Sequence, residues 1–351
     1  MELDPVGTLL LDEADLPADG GKILVIDEPA LASHLRDRGL DVLAYCDDLR
    51  DERSLAGPGL AVLDQSTLDG VELVLLRLPK SLGMLQDYAE RVACWASPTV
   101  RLLGGGREKH LSRSMNEVLA TSFREVRASR GRQKSRVLHA SEASPGPRTW
   151  PREAVLPELG LTVVSHGGVF AAGKLDGGTR LLLTALHENG VTARRPGSAV
   201  DLGCGSGVLA CRLAELGYET HAVDVSLAAV ASARDTAARN GLPVTVRRAD
   251  GLADAAPASF DLVVCNPPFH RGTTKDSTPG FALLDGAVPA LSPGAELWTV
   301  FNSHLPYLPF LRELTETTRV VARDRFYTVT RSRVAAAPAG ADPRRGIETL
   351  G

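Results

Sequence analysis

The sequence predicts an α/β fold: two tandem Rossmann-like domains, of which the N-terminal copy is degenerate. Three observations predict it. Short aliphatic strands alternate with helical segments through both halves of the 351 residues. A Pro-, Ser- and Gly-rich stretch, Ser141–Arg152, interrupts that alternation. A glycine-rich loop follows the first strand of the second half, and none follows the first strand of the first half. The expected layout is a degenerate domain over 1–140, a linker over 141–155 and a second domain over 156–334. A flexible tail over 335–351 then opens Ala-Ala-Ala-Pro.

In the first half the expected strands are Ile23–Asp27, Asp41–Cys46, Leu60–Leu63, Glu72–Leu78, Val100–Leu103 and Arg124–Ala128. Leu31–Arg38, Leu82–Trp95 and Ser112–Ser122 carry helical periodicity between them. The turn after the first strand reads Asp27-Glu28-Pro29-Ala30, so a phosphate or nucleotide cannot approach its backbone closely. This half is expected not to bind a cofactor. In the second half, strand Ser198–Leu202 leads through the glycines into helix Gly207–Leu216. Strand Thr220–Val225 follows, then helix Leu227–Arg239, which Asn240-Gly241 stops. Val244–Arg248 and Leu262–Cys265 are the next strands. Gly280–Leu291, Glu296–Phe301, Leu308–Glu316, Val320–Ala322 and Arg325–Arg331 complete the sheet and its cover. Two halves built alike suggest a duplication in which one copy kept the chemistry.

Composition narrows the class. The chain is 44% hydrophobic and 23% charged, so it should fold. Five cysteines, Cys46, Cys94, Cys204, Cys211 and Cys265, form no C-x-x-C pair, which argues against a disulfide framework or zinc site and fits a reducing cytosol. Cys204 and Cys211 read as small fillers rather than nucleophiles. Met1-Glu2-Leu3-Asp4-Pro5 lacks signal-peptide character. No apolar run approaches the ~20 residues of a membrane span. A cytoplasmic protein without membrane or metal partners is expected. Residues 1–90 hold 7 Lys/Arg against 19 Asp/Glu, whereas 101–152 hold 12 against 4. The cations are densest at Arg124, Arg127, Arg130, Arg132, Lys134 and Arg136. Such a block can contact phosphates, with Arg130, Arg132 and Lys134 the candidates, or can be a solvated strand and turn.

Asp201-x-Gly203-x-Gly205-x-Gly207 lies on a strand-to-helix turn. Glycines let the backbone adopt positive φ and approach a ligand, here through Gly203, Cys204, Gly205 and Gly207. The spacing differs from the dinucleotide G-x-G-x-x-G. Asp201 is placed to meet an ammonium group, directly or through water. Asp224, followed by Val225, ends the next strand about 20 residues on, where a carboxylate can hold two ribose hydroxyls. Asp250-Gly251 ends the third strand, and Asp250 can accept from an adenine amino group. Series and order together point to S-adenosyl-L-methionine.

Asn266-Pro267-Pro268-Phe269 follows the fourth strand. An exocyclic amine on a heteroaromatic ring is a poor nucleophile, because its lone pair is delocalised. It needs geometry more than a strong base. The Asn266 side-chain oxygen and the Pro267 carbonyl can each accept one N–H, drawing the nitrogen towards tetrahedral geometry. Proline stiffens the turn, and Phe269 offers a face for stacking. Positioning of this kind can supply much of the rate enhancement. The substrate is expected to be a flipped or unpaired nucleotide, with His270 at the substrate mouth and Arg271 near a phosphate.

Several segments carry a resemblance. They are Gly168-Val169-Phe170, Lys174-Leu175-Asp176-Gly177-Gly178-Thr179-Arg180, the Val200–Leu209 glycine loop and Asn266-Pro267-Pro268-Phe269-His270. Asn302-Ser303-His304-Leu305-Pro306-Tyr307, Leu78-Pro79-Lys80 and Gly104-Gly105-Gly106 with Lys109-His110 add to them. With these the chain, up to about residue 333, resembles the bacterial ribosomal-RNA guanine-N2 methyltransferases with two tandem methyltransferase-like domains. The resemblance implies a class I methyltransferase fold, S-adenosyl-L-methionine as donor and N2 of a guanine in rRNA as acceptor. It implies an N-terminal copy that has lost cofactor binding and assists RNA recognition or folding. By the same resemblance Phe170 and the 176–180 segment match a region packed over the cofactor, and Phe170 and Thr179 are its candidate cofactor-binding residues. Ala171 stands where a serine is usual in the small-subunit enzymes, and the first half looks closer to the large-subunit ones.

The expected partner is ribosomal RNA or a ribosomal subunit, and the expected state a monomer. Rival readings keep the methyl donor but change the acceptor, to adenine N6 or a protein glutamine amide; those relatives often carry Tyr at the Phe269 position. A nicotinamide-dependent oxidoreductase is disfavoured by the glycine spacing and by the absence of a catalytic His/Lys/Tyr set. A non-catalytic RNA-binding assembly factor is disfavoured by the intact Asn266 and acidic series.

Overall fold

The computed structural model describes residues 2–17, 20–192, 197–268 and 278–335. Its contacts divide the chain into two compact units: Met1–Lys174 with Val225–Asn240, and Leu175–Asp224 with Gly241–Gly351.

The first unit begins with α1 (Pro5–Glu13), capped by the Asp4 side chain, and continues with β1 (Lys22–Ile26), α2 (Pro29–Asp37) and β2 (Val42–Tyr45). Short α3 (Leu49–Glu52) and α4 (Gln65–Leu68) precede β3 (Val71–Arg77), α5 (Leu82–Trp95), β4 (Arg101–Arg107) and α6 (Arg113–Leu119). The hairpin β5 (Phe123–Ala128) and β6 (Ser135–Ala143) follows, then the hairpin β7 (Arg152–Leu156) and β8 (Leu161–Ser165). The sheet runs β2-β1-β3-β4-β6-β5, parallel up to β4 and antiparallel beyond it. Alternation sorts its core: Leu24, Ile26, Val74 and Leu76 face α5, while Ile23, Val25, Leu73 and Leu75 face α1 and α2. Gly105 in β4 is the close-approach point, since a Cβ there would lie 2.7 Å from the Leu10 side chain of α1.

One expected strand is not there. Leu60–Leu63 stays irregular and gives the sheet side a single backbone bond, Leu60 N to the Ala44 carbonyl at 2.7 Å. Gly57-Pro58-Gly59 precedes it, and glycine and proline both oppose strand extension. Conversely, β6 and α1 lie in stretches without a matching sequence expectation.

The crevice beyond β1 is filled by side chains. Asp27 takes φ 55° and accepts from Asp47 N at 2.8 Å and from the Tyr88 hydroxyl at 3.0 Å. Glu28 is buried against Arg77. Burial pushes both carboxyls up to about 7.

The second unit holds α7 (Gly177–Glu188), β9 (Ser198–Leu202), α8 (Val208–Glu215) and β10 (Glu219–Asp224). The chain then contributes α9 (Leu227–Arg239) to the first unit, where Thr236 Oγ1 and Asn240 Oδ1 receive the amides of Val164 and Thr162. Back in the second unit come β11 (Val244–Arg248), β12 (Phe260–Cys265), α10 (Thr278–Asp285), β13 (Leu291–Asn302), α11 (Tyr307–Leu314), β14 (Thr317–Arg323) and β15 (Tyr327–Arg333). The sheet order is β11-β10-β9-β12-β13-β15-β14. It is the first sheet's order with one more strand at the β11 end. Val200, Leu202, Val263 and Cys265 pack towards α10 and α11, and Ala199, Leu262, Val264 and Trp298 towards α7 and α8. Among the described residues no helix is long and apolar enough to cross a membrane.

Candidate active site

The chain runs outward from β9 through β10 to β11 on one side, and from β9 to β12 and β13 on the other. The order therefore reverses between β9 and β12, and the carboxyl ends of strands at such a point are where open α/β sheets bind ligands. Register pairs Asp201 with Val264 and Leu202 with Cys265, so Gly203 and Asn266 leave the sheet at one level.

The loop after β9 is shaped by its glycines. Gly203, Gly205 and Gly207 have φ of 76°, 52° and 78°, a region open to glycine at little cost. Gly203 N and Cys204 N both donate to the Val223 carbonyl, which ties the loop to β10. Gly205 N donates to Asp224 Oδ2 at 3.1 Å, so the acid ending β10 braces the cradle. Asp201 is buried, and its Oδ2 accepts from Ala210 N at 3.0 Å, in the first turn of α8. Its Oδ1 is buried with no partner. Burial, with Asp224 adding its charge, pushes the Asp201 carboxyl up to about 7. Gly251, after β11, takes φ 74°, and Asp250 beside it is exposed. Glycines that admit a ligand and a buried acid with an uncommitted oxygen fit a cationic amino acid joined to a nucleoside. Cys204 and Cys211 are buried, with thiols pushed up by desolvation, so neither is an activated nucleophile.

Asn266 is half-buried, Pro267 buried and Pro268 exposed. The Asn266 amide is oriented by chemistry. Its Nδ2 donates to Asp176 Oδ2 and to Thr179 Oγ1, each at 3.1 Å, and a carboxylate can only accept. Its Oδ1 is therefore turned the other way, where it is buried and unpartnered. Asp176 is held in turn as the N-cap of α7, accepting from Thr179 N at 3.0 Å. Phe269, His270 and Arg271 lie outside the described residues.

The remaining expected positions are dispersed. Phe170 belongs to the first unit and is 60% exposed. Val225 also belongs to the first unit, its carbonyl accepting from Leu49 N at 3.0 Å. Arg130, Arg132 and Lys134 are exposed on the β5–β6 connection, where Arg132 pairs with Asp12 at 2.9 Å. A two-residue turn at Gln133 and Lys134, with φ of 48° and 59°, projects this tip. One pairing and one residue in the site escaped motif reading. Asp176 is separated from Asn266 by 90 residues, and no local pattern links them. Leu283 of α10 approaches the Cβ positions of Gly203 at 4.0 Å and Gly251 at 3.4 Å, laying apolar surface over both glycines. Among the described residues no cluster of His, Cys, Asp or Glu is placed to hold a metal ion.

Residues 160–331 match the family described as methyltransferase small domain, and residues 50–144 match the RLMG N-terminal domain. The ribosomal RNA large subunit methyltransferase G of Streptomyces griseus subsp. griseus is 36% identical over 278 residues, covering 75% of this chain and 71% of the relative. The Streptomyces coelicolor protein of that name is 35% identical over 344 residues, covering 91% and 89%. The chain belongs to the ribosomal RNA large subunit methyltransferase G family. It is a class I methyltransferase, and S-adenosyl-L-methionine is its methyl donor. Its fold is also that of the T. thermophilus 16S rRNA guanine-N2 methyltransferase RsmC, solved in complex with AdoMet and guanosine. That match has a TM-score of 0.78 at 24% identity and covers 94% of this chain and 92% of the other. Within the family, the glycine cradle, the acids at strand ends and Asn266 are this chain's residues of the expected types.

Proposed function

We propose that the protein transfers a methyl group to the exocyclic N2 of a guanine in large-subunit ribosomal RNA, acting in the cytoplasm as a monomer. The observation that carries this reading is the fixed orientation of Asn266: its amide nitrogen is committed to Asp176 and Thr179, and its oxygen is buried without a partner. A buried acceptor without a donor is costly to maintain, and an amino group presented there would satisfy it. The Pro267 carbonyl accepts the second N–H, and the nitrogen lone pair is then aimed away from both acceptors. The cofactor supplies an electrophilic methyl group on a sulfonium. Gly203, Gly205 and Gly207 cradle it, Asp201 holds its ammonium, Asp224 its ribose and Asp250 its adenine. Guanine and rRNA as acceptor are supported by the names of the family relatives and by the guanosine in the RsmC complex.

The 1–140 and 156–334 domains divide the labour, with the cations Arg130, Arg132 and Lys134 meeting RNA phosphates and the second domain carrying the methyl transfer. Mass-spectrometric mapping of N2-methylguanosine in rRNA tests the reaction. One modified guanine should disappear without the gene and return with wild-type protein but not with Asn266→Ala. An unchanged map would refute the guanine-N2 assignment.

A further inference from the structure

The turn joining β14 to β15 carries an exposed aromatic ring on the rim of the active site. It reads Arg323-Asp324-Arg325-Phe326, and Phe326 is 61% exposed. Single exposed apolar side chains are ordinary on protein surfaces, but rigidity, charge and place set this one apart. Asp324 Oδ1 accepts from Phe326 N at 2.7 Å and from Tyr327 N at 2.6 Å, and Asp324 N donates to the Tyr327 carbonyl at 3.0 Å. The Phe326 carbonyl accepts from Ser303 N, just past β13, at 2.8 Å. The ring is thus mounted on fixed backbone, and little ordering is left to be done when a ligand settles on it. The Arg325 guanidinium lies over the ring, 5.4 Å from its centroid. Arg323, also exposed, is held by a bond from its Nε to Thr328 Oγ1 at 3.1 Å. An exposed π-face with cations in the same turn fits a planar base joined to phosphates.

The strand register places this ring relative to Asn266. Cys265 of β12 pairs with Thr299 of β13, and Asn302 of β13 pairs with Tyr327 of β15. Phe326 therefore stands two strands from Asn266, ~10 Å across the sheet, and three residues, ~10 Å, further out beyond the strand ends. Tyr327 ties the turn to the site: a Cβ added at Gly178 would lie 3.2 Å from its ring, and Asp176, at the start of the same helix, holds the Asn266 amide. Phe326, Tyr327, Asp176 and Asn266 belong to one unit. A separation of ~14 Å equals about four stacked nucleotides of a single strand, so one RNA loop can occupy both places. Extruding a base deprives its neighbours of a stacking partner, and an aromatic ring on the rim supplies a replacement. We infer that Phe326 and Arg325 dock an unpaired nucleotide neighbouring the methylated one, its base stacked on Phe326 and its phosphate met by Arg325. The inference rests on the reading of rRNA as the acceptor.

Methyl transfer by the full-length protein to large-subunit rRNA from cells lacking the gene, measured over a range of RNA concentrations, tests it. Phe326→Ala should raise KM for the RNA about tenfold, the scale of one lost base stack, with kcat and S-adenosyl-L-methionine affinity unchanged. Phe326→Trp keeps a stacking face and should hold KM near the wild-type value. Phe326→Leu is apolar without a π-face and should behave like the alanine variant. Arg325→Gln should raise KM and lower the slope of log KM against log salt by about 0.7, the value for one phosphate of a single strand. A wild-type KM in Phe326→Ala, or full rescue by leucine, would overturn the inference while leaving rRNA as the acceptor. If the wild-type protein transfers no methyl group to this rRNA, the acceptor reading falls and the inference with it.

Discussion

Asn266→Asp puts the proposed amide orientation to a quantitative test. The substitution keeps the size of the side chain and an oxygen facing the substrate amine, but replaces Nδ2 with a second oxygen opposite Asp176 Oδ2, 3.1 Å away in the native protein. Two like charges at that separation repel by ~5 kcal/mol at an effective dielectric of about 20. That repulsion raises the pH at which the pair gives up its second proton. Below that value the pair shares a proton and an O–H···O bond replaces the lost N–H···O bond. Above it both groups ionise and push the Asn266 turn off α7. The sign follows from linkage. A carboxyl whose folded pKa is raised binds more protons in the folded state, so its contribution to stability is lost as pH rises through the pair's upper ionisation and is flat above. Melting temperatures of variant and wild type, measured from pH 4 to pH 9, should diverge steadily and then run parallel. Methyl transfer by the variant, at fixed saturating substrates, should fall over the upper part of that window. A pH-independent gap, or no gap, would refute the claim that Asp176 fixes the amide.

Two further outcomes follow from the same geometry. The Asp201 carboxyl sits at about 7 in the free protein, and an ammonium ligand needs it ionised, so cofactor affinity should rise with pH through 7 and level off. With about a tenth of the carboxyl ionised at pH 6, the dissociation constant there should be ~10-fold weaker than at pH 8; a flat calorimetric profile would remove Asp201 from ammonium binding. Neutralising Arg130, Arg132 and Lys134 together should weaken binding to a single-stranded rRNA fragment and reduce the slope of log affinity against log salt by about 2. Unchanged slope and affinity would make the β5–β6 tip a solvated turn.

The catalytic sheet was legible because its central strands are short runs of apolar residues: Ser198–Leu202 begins and ends where the pattern does, and the expected Leu262–Cys265 lies within Phe260–Cys265. Helix α9 was equally plain, Leu227–Arg239 with Asn240-Gly241 as its stop. What escaped was set by tertiary contact. Ser135–Ala143 mixes Arg, His, Ser and Glu with its buried Val137, Leu138 and Ala140, so it reads as a basic stretch rather than a strand. Leu60–Leu63 has strand composition but no strand, because pairing with a neighbour cannot be read from four residues. In the site, the glycines and strand-end acids announce themselves locally. The partnership of Asp176 with Asn266 and the placement of Leu283 depend on which strand ends the sheet brings together. No local signal reveals that α9 belongs by its contacts to the first unit.

That last feature bears on how the two copies can evolve. The backbone passes between the units at 174/175, 224/225 and 240/241, so the gene has no single seam at which one copy could be excised. After a duplication, two identical copies are interchangeable and either is dispensable. Once the helix of one copy is seated among the residues of the other, the first unit is built from both copies and deletion of either becomes a loss for it. The first copy is then under selection for the architecture it shares with the second, whatever chemistry it carries, which is a reason for both to persist.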